Sequence, residues 1–254
     1  MASGRRTSTR IWVLADAHIG GEPTAELMGV NVRTNLRHAI KFVMAQAGEA
    51  DHIVLLGDIS HDGSAASYEW MATEVGRTGL RCHSVPGNHD GARYAGFRRH
   101  VAPGDPTRLH QDWSAAFLDT RGHGSEPGRA PLGDVQRFWA DWASETSNAI
   151  FFMHHDLIQP VPPGRVGIPN AGEFMLALTR GSNRQILVVG GHRHQYYTAN
   201  IGSVAYVSCG AISCQFEFDD ETPVRESEHP ELISIDLYSH DYVVNRHILS
   251  SGPG

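Results

Sequence analysis

The stretch Pro86-Gly87-Asn88-His89-Asp90 decides how the chain is interpreted. It follows residues 80–85, which we predict to form a short buried strand. A Pro-Gly turn at a strand end leaves the next side chains at the edge of the sheet. Those side chains are an amide, an imidazole and a carboxylate, which are also ordinary turn residues. The stretch therefore gains its meaning from four others of the same kind.

Four further apolar runs end in side chains that can bind metal ions. Residues 11–15, 53–56, 149–153 and 185–189 are continuous apolar runs, which is typical of strands buried on both faces of an open sheet. Because ligand sites of open α/β sheets lie at strand ends, we expect the polar side chains that follow to share one site. The side chains that follow the five runs are Asp16, His18, Asp58, Asn88, His89, His154, His155, His192 and His194.

Helices and further strands complete an α/β pattern. Helical spacing of apolar residues predicts helices over 31–47, 64–78, 134–143 and 172–180. The alternation with strands predicts a layered sheet with helices outside. The pattern then changes to β periodicity over 204–208, 211–218, 231–238 and 241–249, with the last two as a hairpin.

Two segments lack a regular pattern. Residues 1–10 contain no apolar signal-peptide core, and we expect a flexible tail. Residues 91–133 are rich in Gly, Pro, Arg and His, and we expect an irregular cap or lid there rather than a separate domain. Residues 11–250 are predicted to form a single domain that carries this cap or lid as an insertion.

The composition excludes several classes of protein. The 254 residues are 41% hydrophobic and 19% charged, an ordinary globular mix that can bury a full core. The net charge of −7 argues against a protein that mainly binds nucleic-acid backbone or an anionic membrane. No apolar run approaches transmembrane length. The three cysteines, Cys82, Cys209 and Cys214, lack zinc spacing, which indicates reduced thiols and a cytoplasmic protein.

The candidate donors predict two metal ions. A mixture of imidazole, carboxylate and amide suits Mn, Fe, Zn, Co or Ni. The donors are too many for one catalytic zinc, which takes three protein ligands and a water. They suit two ions about 3.5–4 Å apart that share one carboxylate.

The ordered motifs resemble those of the calcineurin-like metallophosphoesterases. The resemblance extends from residue 11 to about residue 215. The motifs are D-x-H at 16–18, G-D at 57–58, G-N-H-D at 87–90, a His after an apolar strand at 154, and G-H-x-H at 191–194.

Within this superfamily the chain is most similar to the class III cyclic-nucleotide phosphodiesterases of bacteria. The supporting residues are Gly29-Val30-Asn31, Tyr68, Arg93 and Gly133. The implied fold is a four-layer αββα sandwich, in which two mixed sheets lie face to face with helices outside.

The resemblance also implies a role for each candidate residue. Asp58 would bridge two metal ions, and His155 is the alternative to His154 as a ligand. His89 would face the substrate phosphate, with Asp90 fixing its ring. The implied ligands are Asp16, His18 and His194 for one ion, and Asn88, His154 and His192 for the other. The implied phosphate contacts, each also readable as a solvent-facing arginine, are Arg93 and Arg193.

The expected activity is phosphoester hydrolysis. A hydroxide held between the two ions would attack phosphorus, and His89 would assist the leaving oxygen. The favoured substrate is a small phosphodiester such as a cyclic nucleotide, with a glycerophosphodiester or a phosphomonoester as alternatives. A nuclease acting on nucleic-acid ends is disfavoured by the net charge and by the absence of a basic stripe with interleaved aromatics.

A non-catalytic interaction scaffold is a further alternative. It is disfavoured because every candidate ligand position is filled. The native metals, whether manganese, iron or zinc, stay open, and so does lid closure. A homodimer through the C-terminal β section is an expectation by similarity, and no membrane partner is expected.

Overall fold

The computed structural model describes residues 8–101, 107–121, 127–142, 148–158, 167–180, 184–219 and 222–250. The strands are β1 (Thr9–Ala15), β2 (Glu26–Leu27), β3 (Val30–Asn31), β4 (His52–Leu56), β5 (Arg81–Val85), β6 (Thr107–His110), β7 (Trp113–Phe117), β8 (Asn148–Phe152), β9 (Ile186–Gly190), β10 (Tyr197–Ile201), β11 (Val204–Ser208), β12 (Gln215–Asp219), β13 (Thr222–Ser227), β14 (Glu231–Leu237) and β15 (Tyr242–Ile248). The helices are α1 (Val32–Met44), α2 (Ala65–Gly76), α3 (Tyr94–Val101), α4 (Leu132–Trp142) and α5 (Ala171–Thr179).

Two mixed sheets form the centre of the fold. The first has the order β15-β14-β1-β4-β5, in which β1, β4 and β5 are parallel and β14 and β15 pair antiparallel. The second has the order β10-β11-β9-β8-β7-β6, in which the four inner strands are parallel and both edge strands pair antiparallel. Parallel neighbours end at the same edge of a sheet, so the polar residues after them are brought together.

The inner faces of the two sheets pack on each other. Alternation along β1 turns Val13 toward the second sheet, where it joins one buried cluster with Val54, Phe152 and Val189. All four side chains are fully buried. Residues of both sheets therefore share one apolar layer, as two sheets packed face to face require.

Helices cover the two outer faces. Leu14, on the other face of β1, packs in a cluster with Leu36 of α1 and Met71 of α2. On the second sheet, Phe151 of β8 packs with Phe138 of α4. The layers run helix, sheet, sheet, helix, so the predicted αββα sandwich with two mixed sheets is confirmed.

Each of the first two helices is preceded by an N-cap residue whose side chain binds the first helical turn. Asn31 accepts a hydrogen bond from the backbone N–H of Thr34 at 3.0 Å. Ser64 does the same for Ser67 at 3.2 Å. Such caps satisfy backbone donors that the first helical turn leaves open. Among the described residues, none of the helices combines the length and the apolar character needed to span a bilayer.

The predicted lid over residues 91–133 is corrected where the structure describes it. Residues 94–101 form α3, and β6 and β7 are strands of the second sheet. Trp113, which starts β7, is fully buried. The expectation of irregular structure was wrong here because Trp113–Phe117 forms a largely buried strand that pairs with β8. Residues 102–106 and 122–126 of the predicted lid lie outside the described residues.

The predicted tail and the later β section also change in extent. Residues 1–7 lie outside the described residues, but Thr9 and Arg10 already belong to β1, so residues 9–10 are not tail. The Arg10 guanidinium is held by Asp236 of β14 at 2.9 Å. The β-hairpin of β14 and β15 is as predicted. Strands β10 and β13 were not predicted, because their exposed polar residues hide the period of a strand.

A pair of buried histidines joins β4 to β5. His83 Nε2 lies 3.0 Å from His52 Nδ1, and the His83 ring stacks on Phe117 with centroids 4.8 Å apart. Burial, followed by the neighbouring imidazole of His52, lowers the pKa of His83 to about 4. The His83 ring is therefore neutral at pH 7.

Candidate metal centre

Among the described residues, three groups of side chains could hold a metal ion where the parallel strands end: two consist of predicted ligands, and the third consists of His18, His61 and His89. Within each group, one donor atom from every residue lies within 4.8 Å of the others. The first donor group consists of Asp16, His18 and His194, and the second donor group consists of Asp58, His154 and His192. These are six of the seven residues that the sequence analysis assigned as ligands. The seventh, Asn88, places Oδ1 2.9 Å from His154 Nε2.

Asp58, a member of the second donor group, also approaches the first donor group. Its Oδ2 is 3.5 Å from His18 Nε2 of the first group and 3.4 Å from His154 Nε2 of the second. Its Oδ1 accepts a hydrogen bond from the backbone N–H of His89 at 2.8 Å. One carboxylate thus faces both groups, which is the arrangement that a bridging ligand needs.

The imidazole nitrogens within the groups approach one another closely. His18 Nε2 lies 3.2 Å from His194 Nε2, and His192 Nδ1 lies 3.1 Å from His154 Nε2. Each of these nitrogens faces a second one across the donor group. Lone pairs that converge in this way suit a shared cation.

The backbone at the ligand positions is strained. Asp16, His18, Asp58, His192 and His194 have φ values of 52°, 47°, 41°, 73° and 54°. Apart from these five, Met28 alone among the described non-glycine residues has a positive φ. A non-glycine residue in this region costs about 1–3 kcal/mol and persists only where the surroundings hold it. The strain is therefore concentrated at the donors.

Two glycines make room for donors that follow other strands. Gly57 has φ +71°, and a Cβ there would overlap the ring of His154. A Cβ on Gly87 would overlap the backbone nitrogen and carboxylate of Asp58. The glycines of the G-D and G-N motifs are thus needed because a candidate donor lies against the backbone, His154 of the facing sheet at Gly57 and Asp58 of the adjacent strand end at Gly87.

Burial and neighbouring charges together set the protonation of the donors. For His154, burial acts to lower the pKa, but the carboxylates of Asp58 and Asp16 outweigh it and raise the pKa to about 9. Burial raises the pKa of Asp16 to about 8 and lowers the pKa of His194 to about 4. For Asp58, burial acts to raise the pKa, but the imidazoles of His154 and His18 outweigh it and hold the pKa well below its usual range. Burial also holds the pKa of His192 well below its usual value. Neutral imidazoles are the form that binds metal ions.

The donor set fits two divalent cations. Oxygen and imidazole donors are combined in each group, which suits metals of intermediate hardness. Asp16 and Asp58 are both nearly fully buried, and a cation supplies the positive charge that buried carboxylates require. The residues therefore fit the two ions that the sequence analysis expected.

His89 stands beside the donor groups with its side chain exposed. Its ring lies 4.8 Å from that of His18, centroid to centroid, at an angle of 77°. Its Nδ1 lies 3.3 Å from the carbonyl oxygen of His61. With Nδ1 held by a carbonyl, Nε2 is the nitrogen left for other partners.

A family model described as calcineurin-like phosphoesterase matches residues 9–196. The chain belongs to the calcineurin-like phosphoesterase family. It is a phosphoric ester hydrolase, as the sequence analysis predicted. The structure places both donor groups and His89 within the matched residues.

Curated relatives and solved structures agree with this membership. A probable cyclic nucleotide phosphodiesterase of Synechococcus sp. is 29% identical over 222 residues, which cover 85% of each chain. A 3′,5′-cyclic adenosine monophosphate phosphodiesterase of Escherichia coli strain K12 is 26% identical over 201 residues, covering 73% of this chain and 70% of the relative. The resemblance to the cyclic-nucleotide phosphodiesterase branch is confirmed.

The fold of this calcineurin-like phosphoesterase is found in solved structures. A dimetal phosphatase from Danio rerio matches with a TM-score of 0.68 and 13% identity, over 96% of this chain and 99% of that one. A purple acid phosphatase from yellow lupin matches with a TM-score of 0.65 and 14% identity, over 97% and 52%. At these identities the likeness concerns the fold alone.

The role expected for Asp90 changes in the structure. The sequence analysis had this carboxylate fixing the ring of His89. Its Oδ1 accepts hydrogen bonds from the Ser60 N–H at 3.0 Å and the Tyr68 hydroxyl at 2.8 Å. Its Oδ2 accepts from the N–H groups of Ile59 and Gly87 at 3.1 and 2.9 Å. Asp90 thus ties the loop after β4 to the loop after β5, and the carbonyl of His61 contacts the His89 ring.

The two adjacent histidines after β8 have different surroundings. His154 lies in the second donor group, whereas His155 Nδ1 is 2.9 Å from the Thr120 hydroxyl. Both rings are almost fully buried. The geometry therefore favours His154 over the alternative that the sequence analysis left open.

The two candidate arginines contact protein groups. Arg93 is exposed, and its Nη1 lies 3.5 Å from the carbonyl of Gly63. Arg193 Nε lies 3.9 Å from Asp156 Oδ2. Asp156 is itself buried and accepts a hydrogen bond from the Tyr206 hydroxyl at 2.9 Å.

The structure adds one residue to the site, His61. From the sequence alone His61 is interpreted as a loop residue after Asp58, with a role in supporting the ligands as the alternative. Its Nδ1 lies 3.2 Å from His18 Nδ1, and its ring stacks on His89 with centroids 5.0 Å apart. The position three residues after Asp58 was the only signal in the sequence. It was insufficient because the contact depends on the strained backbone of His18.

Proposed function

We propose that the chain is a dinuclear-metal phosphodiesterase that hydrolyses a P–O bond of a small phosphodiester, with a 3′,5′-cyclic nucleotide as the first candidate. The observation that carries the proposal is Asp58, whose Oδ2 faces both donor groups at 3.5 and 3.4 Å. The diester and the nucleotide are supported by the names of the relatives from Synechococcus sp. and Escherichia coli.

Seven side chains would hold the two metal ions, which we propose to be manganese, iron or zinc. Asp58 would contact both. When bound, such ions lower the pKa of a water and stabilise negative charge on phosphoryl oxygens. The proposed ligands are Asp16, His18 and His194 for one ion, and Asn88, His154 and His192 for the other.

His89 would assist the leaving oxygen. Its backbone N–H is held by Asp58 Oδ1 at 2.8 Å, and its Nδ1 lies 3.3 Å from the His61 carbonyl. These two contacts hold His89 beside the donor groups and leave its Nε2 available to contact a substrate. In its protonated form the ring would donate a proton from Nε2 to the departing oxygen.

The chain's own groups would also position the phosphate. Asn88 and His89 follow one another on the loop that Asp90 anchors, so a ligand and the acid are carried by the same short segment. Such positioning reduces the entropy that the reaction must otherwise lose. A homodimer, a cytoplasmic location and the absence of nucleic-acid and membrane partners stay predictions.

Hydrolysis by the Mn²⁺-loaded protein tests the proposed function. Bis-p-nitrophenyl phosphate, p-nitrophenyl phosphate and cyclic AMP are compared side by side, with Asp58→Asn as the inactive variant. His240→Ala is the matched control, since His240 is an exposed histidine in the turn between β14 and β15.

The account predicts turnover of the diester above the monoester, lost in Asp58→Asn and kept in His240→Ala. Turnover of cyclic AMP supports the cyclic nucleotide as substrate. A preference for the monoester overturns the diester assignment. No turnover of any of the three overturns the proposed function.

A further inference from the structure

The loop that follows β4 brings His61 against the first donor group. The backbone N–H of His61 donates to the carbonyl of Ile19 at 3.0 Å. The backbone N–H of Ile19 in turn donates to the carbonyl of Ile59 at 3.0 Å. These reciprocal bonds fasten the loop of residues 59–61 to the segment that carries His18. The exposed His61 ring is therefore placed by the backbone.

The two nitrogens of His18 have different surroundings. Nε2 faces the donor groups, at 3.2 Å from His194 Nε2 and 3.5 Å from Asp58 Oδ2. Nδ1 faces away from them and lies 3.2 Å from His61 Nδ1. Only one of two facing nitrogens can carry the shared hydrogen. A ligand that binds through Nε2 carries its hydrogen on Nδ1, so His61 Nδ1 is the acceptor.

His194 shows the same arrangement with a different partner. Its Nε2 faces His18, and its Nδ1 lies 2.7 Å from the carbonyl oxygen of Cys214. A carbonyl can only accept, so the hydrogen is on Nδ1 and the lone pair of Nε2 faces the donor group. The contact of His18 with His61 is the counterpart of this bond, made by a side chain.

His61 also contacts His89 in two ways. Its carbonyl oxygen lies 3.3 Å from His89 Nδ1, and the two rings stack with centroids 5.0 Å apart at an angle of 18°. One residue thus touches a proposed metal ligand through its ring nitrogen and the proposed acid through its carbonyl and ring face.

We propose that His61 is a positioning residue for the metal centre: its Nδ1 accepts the Nδ1 hydrogen of His18, so that Nε2 of His18 presents its lone pair to the metal, and its ring and carbonyl align His89. This inference rests on the proposed function and assigns a residue to it. His61 acts through its neighbours and need not touch substrate.

Two variants of His61 separate the hydrogen bond from the rest of the side chain. His61→Ala removes the acceptor, whereas His61→Asn replaces Nδ1 with an amide oxygen at a similar distance from the backbone. Both keep the carbonyl that contacts His89. His240→Ala is the matched control for loss of an exposed histidine.

The main readout is the affinity for Mn²⁺, titrated calorimetrically into the metal-free proteins. Loss of a hydrogen-bond partner behind a metal-binding histidine costs about 10–100-fold in affinity or activity. We expect a weakening of this size in His61→Ala, recovery to within about threefold in His61→Asn, and no change in His240→Ala. Circular dichroism compares the folded state of all four proteins.

Two results would overturn the inference. In the first, His61→Ala binds Mn²⁺ as tightly as His240→Ala does. In the second, His61→Asn is as weak as His61→Ala, which would assign the effect to the ring and not to the acceptor. If the wild type hydrolyses no phosphodiester while His61→Ala still weakens Mn²⁺ binding, the proposed function fails and the role of His61 in the metal centre stands.

Discussion

Replacing Gly57 by alanine should displace the proposed metal ligand His154 without changing any donor. Gly57 has φ +71°, and an added Cβ would overlap the Cβ, Cγ and Nδ1 atoms of His154. The His154 ring must then shift relative to Asp58 and Asn88, which its Nε2 now approaches to 3.4 and 2.9 Å. The second donor group would lose its geometry, although all its side chains remain in the sequence.

The structure offers a control for the backbone strain. Gly79 has φ +67°, but a Cβ there would meet nothing within 4 Å. The left-handed conformation costs alanine about 1–2 kcal/mol, and the stiffer unfolded chain returns about 0.4–1 kcal/mol. Gly79→Ala should therefore lower the free energy of unfolding by about 1 kcal/mol. Overlap in a packed site adds about 1–3 kcal/mol, so Gly57→Ala should lower it by about 2–4 kcal/mol.

Urea denaturation of the metal-free proteins measures the stabilities, and calorimetric titration measures Mn²⁺ binding. Gly57→Ala should bind Mn²⁺ at least about tenfold more weakly than wild type, by analogy with losses behind metal ligands. Gly79→Ala should bind like wild type. Equal Mn²⁺ affinity in the two variants would refute the argument that Gly57 makes room for His154.

Three further changes test other parts of the account. His89→Ala should keep Mn²⁺ affinity within about threefold and lower kcat for a diester by about 10²–10⁴-fold, the usual share of an acid–base group; unchanged kcat contradicts this. Asp90→Asn should lower the free energy of unfolding by about 2–4 kcal/mol in urea, because a buried acceptor becomes a donor facing N–H groups, whereas Tyr68→Phe should cost about 1 kcal/mol; equal losses contradict this. Burial lowers the pKa of His83 from 6.5 to about 4. As the pH falls from 6.5 toward 4, the unfolded chain binds a proton at this residue and the folded chain does not, so the free energy of unfolding falls by up to about 3 kcal/mol. Urea titrations at pH 7 and 4.5 should show a smaller acid loss in His83→Gln than in wild type, and parallel losses contradict this.

The resemblance of the motifs implied the four layers, and the strand pattern itself predicted where the candidate donors lie. Continuous apolar runs identify strands buried on both faces, and the residues directly after them lie at one edge because the strands are parallel. Because Asp16, Asp58 and Asn88 come shortly after parallel neighbouring strands, the sequence predicts that they lie at one edge of the sheet. The close approach of His192 to His154, which follow the parallel neighbours β9 and β8 of the second sheet, came from the same rule.

The contacts between loops could not be predicted in the same way. Asp90 binds the N–H groups of Ile59 and Ser60, which lie some thirty positions earlier in the chain. A short Asn-His-Asp run contains no information about that distance, and the predicted contact of Asp90 with the His89 ring came from the family resemblance alone. His61 contacts His18, whose own backbone has φ 47°, a conformation that sequence patterns for regular structure do not describe.

The strand β7 illustrates a different reason for error. Trp113–Phe117 is short and lies between stretches rich in Gly, Pro and Arg. Its burial comes from pairing with β8 and β6, and neither partner is visible in its own five residues. Tertiary pairing thus decided its structure where local composition indicated a loop.

The central claim is that Asp58 joins two metal sites. The most direct measurement is the number of Mn²⁺ ions retained per chain after dialysis, in wild type and in Asp58→Asn, by elemental analysis. The account predicts two ions per wild-type chain and the loss of both in the variant, with the fold kept. One ion in the wild type, or two retained by Asp58→Asn, would contradict it.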